Sequence, residues 1–123
     1  MKTRSLTYIG LGALLGCMVV ACGCMTHQGD FTVASTKLVR LNEFELDKAG
    51  RVKGAEGRDI AHIIVFIPTG VPNIKTAMDE ALVNGGGDVM TDLTIDSYYW
   101  YIPYIYGQQG WIVKGDVIKT RRN

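Results

Sequence analysis

Cysteine is missing from residue 25 to the end of this 123-residue chain: Cys17, Cys22 and Cys24 all fall within the first 24 positions. A disulfide framework is therefore excluded for whatever folds beyond them. Histidine occurs only twice, at His27 and His62, so no Ser/His/Asp or Cys/His set can be named, and an enzyme is not the expected class. The Walker Lys-Ser/Thr pair is absent, as is a GxGxxG, which removes the usual phosphate-cradling loops. Excess positive charge is lacking too. Thirteen Lys and Arg stand against 12 Asp and Glu, and without Lys2 and Arg4 the balance from residue 22 onward is 11 against 12, formally −1. No nucleic-acid partner is expected on that charge. No internal repeat or low-complexity tract is visible.

The N-terminus carries the clearest pattern. Met1-Lys2-Thr3-Arg4 is a short positive segment, and Leu6 to Ala21 is an uncharged run of 16 residues diluted by Thr7, Gly10, Gly12 and Gly16. That is secretory-signal anatomy, shorter than the roughly 20 apolar residues a permanent membrane span needs. Val19-Val20-Ala21-Cys22 resembles the lipobox of bacterial lipoproteins, in which two aliphatic residues and a small one precede a cysteine that takes diacylglycerol on its thiol. Cys17 follows Leu14-Leu15-Gly16 but would leave an apolar tether, and Cys24 lacks a large aliphatic residue three places upstream, so Cys22 is the expected lipidation site. An ordinary signal peptide cut before a free cysteine, or an uncleaved anchor, is the alternative. The expected division is a signal peptide at 1–21, a lipidated N-terminus and flexible polar tether at 22–30, and a single domain at 31–123.

Phe31 to Leu41 is rich in Thr and Val and predicts a strand, and the charged, glycine-bearing stretch from Asn42 to Asp59 predicts a strand end followed by an exposed loop. Ile60-Ala61-His62-Ile63-Ile64-Val65-Phe66-Ile67 is a nearly continuous apolar run closed by Pro68, which predicts a strand covered on both faces. Ile74, Ala77, Met78, Ala81 and Leu82 mark one face of a helix, with Asn73 as N-cap and Gly85 as stop. Asp88 to Ser97 alternates, with Val89, Leu93 and Ile95 on one side and Asp92, Thr94 and Asp96 on the other. Gly107-Gln108-Gln109-Gly110 predicts a hairpin connection between an aromatic strand and a last strand from Trp111. The expected fold is α+β: a small mixed β-sheet with one helix packed across it in two layers, behind the signal peptide and tether.

Several residues invite a chemical reading. Thr69-Gly70-Val71-Pro72-Asn73 leads into a helix N-terminus, where amides can hold an anion, although a plain βα turn is preferred. Cys22-Gly23-Cys24 with His27 superficially resembles a soft-metal cluster, but acylation removes Cys22 from the set, and neither a metal nor another cofactor is expected. Asp88, Asp92 and Asp96 are read as a solvated face, and His62 as a structural histidine. The unusual feature is aromatic. Tyr98, Tyr99, Trp100, Tyr101, Tyr104, Tyr106 and Trp111 place seven of the chain's 11 aromatic residues in 14 positions. Alternation along a strand cannot put all of them in one core. The expectation is Tyr99 and Tyr101 inward, and Tyr98 and Trp100 outward. Tyr98, Trp100, Tyr104, Tyr106 and Trp111 are the candidate binding residues, for an envelope protein, a glycan or a membrane interface. The competing reading is cross-strand packing within the hairpin.

The stretch from Gly57 to Thr120, with "HIIVFIPTGVPNIKTAMDEAL", "GGGDVMTD" and "YWYIPYIYGQQGWIVKGDVIKT", resembles small bacterial lipoproteins, and more loosely TRL-like proteins. The resemblance covers about half the chain. It implies a strand, an alanine-rich helix, a glycine turn and an Asp-bearing strand, and it brings no catalytic residue. It implies no activity of its own, and the role expected from the leader and the aromatic cluster is a membrane-anchored envelope module that binds or assembles, or else a purely structural lipoprotein. Gly23 after Cys22 points to the outer membrane by resemblance to enteric sorting.

Overall fold

The structure, a computed structural model, describes residues 7–14, 23–40 and 50–119. Cys17 and Cys22 lie outside the described residues. Residues 7–14, inside the expected leader, are helical and form α1. Five strands follow, β1 (Cys24–Ala34), β2 (Arg51–Ile64), β3 (Ile67–Pro68), β4 (Val89–Ile102) and β5 (Tyr106–Ile118), with α2 (Ile74–Gly85) between β3 and β4. The sheet order is β1-β4-β5-β2-β3 and every pairing is antiparallel. The expected α+β class and the helix across the sheet are present. The expected mixed sheet is not, because β5 separates β2 from β4 and runs opposite to both. No helix among the described residues is long and apolar enough to cross a membrane.

Helix α2 follows its sequence closely. Asn73 caps it by accepting from the Lys75 amide at 2.8 Å, and Lys75 pairs with Asp79 at 2.8 Å one turn on. Ala77, Met78, Ala81 and Leu82 are buried against Ala55, Met90, Leu93, Ile95, Val113 and Val117 of the sheet. The stop differs by one position from the expected one. Gly86, at φ 64°, takes the left-handed conformation, and the Gly86 and Gly87 amides return to the Val83 and Leu82 carbonyls. Gly85 is the last helical residue and packs so tightly on Val117 that a Cβ there would come within 2.5 Å of it.

Three further strand expectations are corrected. Residues 24–30, expected as tether, form the first half of β1, in register with β4 from Cys24↔Tyr99 to Asp30↔Thr94. Their polar side chains have partners there: His27 meets Asp96 at 3.3 Å, Gln28 donates to Ser97 at 2.9 Å and Thr94 donates to Asp30 at 2.9 Å. Arg51 to Asp59, expected as exposed loop, belongs to β2. In β4 a bulge between Thr91 and Thr94, with Asp92 at φ 49°, breaks the expected alternation. Met90 joins Leu93 and Ile95 in the main core, while Val89 turns to a separate small cluster with Ile118 and Val39.

Candidate functional site

The β4–β5 connection is not where the glycines are. It is the short loop Pro103-Tyr104-Ile105, closed by Ile105 N–H donating to Ile102 C=O at 3.2 Å. Pro103 takes the second position of this turn, and Tyr104, at φ 65°, the third, which in a type II turn is ordinarily glycine. Gly107 and Gly110 lie within β5, where the backbones approach too closely for a side chain: a Cβ on Gly110 would stand 2.4 Å from the Asp59 carbonyl.

The second hairpin, β2–β3, ends in a two-residue turn, Val65-Phe66, with Ile64 opposite Ile67. Val65 has φ 61°, the positive value that tight hairpins usually assign to glycine. The two tips are fastened together. Val65 N–H donates to Ile105 C=O at 3.2 Å, the Phe66 and Tyr104 rings meet edge to face at 5.1 Å, and the Tyr101 hydroxyl donates to the Val65 carbonyl while accepting from the Tyr104 amide. Despite this internal bonding the tips are open to solvent: Phe66 is 62% exposed, Ile67 74%, Tyr104 73% and Ile105 65%. The apolar run 60–67 is thus not covered on both faces at its end, because helix α2 crosses the sheet further along and β3 is only two residues long.

The same geometry separates face from burial for the rings in β4. Tyr99 and Tyr101 do continue the helix-side face of Leu93 and Ile95, but Tyr99, at 48%, is the most exposed of the four, since the helix does not extend over it. Tyr98 and Trp100 lie on the opposite face, half-buried in a cluster built around Gln108. Trp100 Nε1–H donates to Gln108 Oε1 at 3.2 Å, Tyr98 Oη stands 3.5 Å from the same oxygen, and Gln108 Nε2–H donates to Tyr106 Oη at 2.9 Å. The Tyr106 ring stacks on His62 at 5.8 Å and meets Trp100 edge-on at 5.6 Å. Of the five candidate binding residues, Tyr98, Trp100 and Tyr106 are therefore together, and Tyr104 is at the adjoining tip. Trp111 is elsewhere, packed against the main core.

Val65, Phe66, Ile67 and Gln108 escaped the sequence reading, yet one signal marks them. Residues 60–74 and 97–113 contain no Asp, Glu, Lys or Arg. These two segments make up the hairpin ends, and the charges begin only beyond them. Arg58 is hydrogen-bonded to Glu56 and Lys114 Nζ is 3.5 Å from it, and together they hold the Glu56 carboxyl below the usual carboxylate range.

The other candidates have local partners. Asp59 accepts from the Asn73 amide at 2.8 Å, so a carboxylate of the protein itself already occupies the start of the helix. Lys37 and Arg51 lie 3.1 Å from Asp88 and 3.6 Å from Asp92, and Asp96 faces His27, which puts the three aspartates in three separate pairs. Cys24 is a free, exposed thiol, and His27 lies between Asp96 and Asp30. Among the described residues no three His, Cys, Asp or Glu side chains are grouped as a metal site. No protein-family model, curated protein or solved structure matches this chain.

Proposed function

We propose that this protein is a non-catalytic binding or assembly module of the bacterial cell envelope, held to the outer membrane by acyl chains on Cys22. The observation that carries the reading is the lipobox Val19-Val20-Ala21-Cys22, placed two residues ahead of a strand whose first residues pair with the aromatic end of β4. The resemblance to small lipoproteins of the TRL-like kind supports the lipid anchor. An envelope protein or glycan is the proposed partner, met by the half-buried rings of Tyr98, Trp100 and Tyr106, since amphipathic rings are the usual anchors of such contacts.

A purely structural lipoprotein is the second reading. It draws on the hydrogen bonds within the Gln108 cluster, which bind those rings to one another. Cys22→Ser tests the anchor, because the acyl acceptor must be a thiol. Labelling with a clickable fatty acid should show incorporation into the parent protein and none into Cys22→Ser, which accumulates as unprocessed precursor. Continued incorporation, lost only on changing Cys17 or Cys24, would move the site.

A further inference from the structure

The start of β1, the end of β4, the start of β5 and the end of β2 all lie at one end of the sheet, because β1 and β5 run opposite to β4 and β2. That end carries Gly23, next to Trp100, then Met25 and Tyr99, and the two fastened tips with Val65, Phe66, Ile67, Tyr104 and Ile105. It is free of charge over both hairpins, and its turn residues are large and apolar where turn geometry favours glycine. Backbone in such conformations is held by over-determining surroundings and clusters at functional sites. Cys22 is bonded to Gly23, so the chain from the anchor to β1 spans two residues, about 7 Å when extended.

We infer that the paired tips Val65-Phe66-Ile67 and Tyr104-Ile105 insert into the lipid bilayer beside the acyl chains on Cys22, with Tyr99, Trp100 and Tyr106 at headgroup depth. The inference rests on the anchor proposed above. Its occupant is a bilayer and not a protein for three reasons. The patch adjoins the anchor within two residues. It carries no charged side chain that entry into lipid would have to desolvate, since residues 60–74 and 97–113 contain none. Apart from Tyr104, its order, aliphatic and Phe outermost with Tyr and Trp behind, is that of residues at a membrane interface, where amphipathic rings settle at the headgroups. The first charges down the strands, Asp59 and Asp96, lie five and six residues from Ile64 and Ile102, about 17 to 20 Å away and so above the headgroup layer, and the last residue of β5, Ile118, lies at the end away from the membrane.

The test uses the full chain, expressed in a bacterial host with its own leader, purified in detergent and reconstituted into vesicles of phosphatidylethanolamine and phosphatidylglycerol. Tyr104→Trp places a reporter at the tip, read as the emission in excess of the parent's, with and without phosphatidylcholine brominated near the top of its acyl chains. Circular dichroism confirms that the variant keeps the parent's fold, and mass spectrometry of the N-terminus reports acylation independently. The expected result is an acylated protein whose added emission is blue-shifted and quenched by the brominated lipid. An acylated protein with red-shifted, unquenched emission would overturn the inference and leave the anchor standing. Blue-shifted but unquenched emission would also overturn it, assigning the tips to a protein contact, a second copy included. Quenching without acylation would uphold tip insertion and overturn the anchor, and absence of both would overturn the two together.

Discussion

Val65 adopts a backbone conformation that its own branched side chain resists. At φ 61° a β-branched residue is a true outlier, and each such position costs roughly 1 to 3 kcal/mol. Glycine would relieve that cost but lose more freedom on folding, so Val65→Gly should raise the stability by about 1 kcal/mol. Urea unfolding of the two proteins measures it, and an unchanged or lower midpoint would show that the turn is not strained. If the tips enter lipid, the same change should weaken their insertion, opposing stability to function at a single residue. This conflict also explains why the hairpins were illegible. Turn chemistry in the sequence points to Gly107 and Gly110, whereas the true turns at Val65-Phe66 and Pro103-Ile105 are written mainly in apolar residues, and only Pro103 follows the usual preference. The faces of the β4 rings are legible from parity, but their burial is not, for a related reason: parity does not reveal how far the helix covers the sheet.

Helix α2 and strand β2 meet through their smallest residues. A Cβ on Gly57 would come within 2.0 Å of the Ala77 carbonyl and 2.3 Å of the Ala81 nitrogen, both backbone atoms with little room to yield. Gly57→Ala should therefore push the helix off the sheet and cost about 3 kcal/mol or more, a large share of a small domain's stability. Thermal unfolding checks this, with Gly50→Ala, where nothing lies within 4 Å, as the tolerated comparison. The helix itself was plain in the sequence, since a stripe at i, i+3, i+4 and i+7 between Asn73 and the glycines has no competing reading. Arg51 to Asp59 was not. Its helix-side positions are Ala55 and Gly57, kept small by the closeness of α2, and its other side carries Glu56 and Arg58, so the strand shows no apolar alternation. The bulge at Asp92 was equally hidden, because one inserted residue leaves composition unchanged while exchanging Val89 for Met90 in the core.

Across the whole molecule the ends differ in kind, with apolar tips and the aromatic cluster at one and the Lys37–Asp88 and Arg51–Asp92 pairs at the other. Composition alone hid the role of residues 24–30, since an edge strand exposed on both faces is as polar as a linker. Hydrogen exchange separates the two readings. The amides of β1 that bond to β4 should exchange slowly, within reach of the protection of β4 itself, whereas a flexible segment would exchange at once. Uniformly fast exchange from Cys24 to Asp30 would restore the tether. Slow exchange has a consequence for how the protein meets its neighbours. If Cys22 carries the proposed lipid, Gly23 alone separates it from the sheet, so the domain takes a restricted range of orientations to the membrane, and part of the rotational entropy a partner must otherwise remove is already lost. Encounters of a protein so anchored would take place in two dimensions and in that restricted range, so that weak contacts would suffice between molecules sharing the same membrane, while anything more than a domain's height from it would stay out of reach.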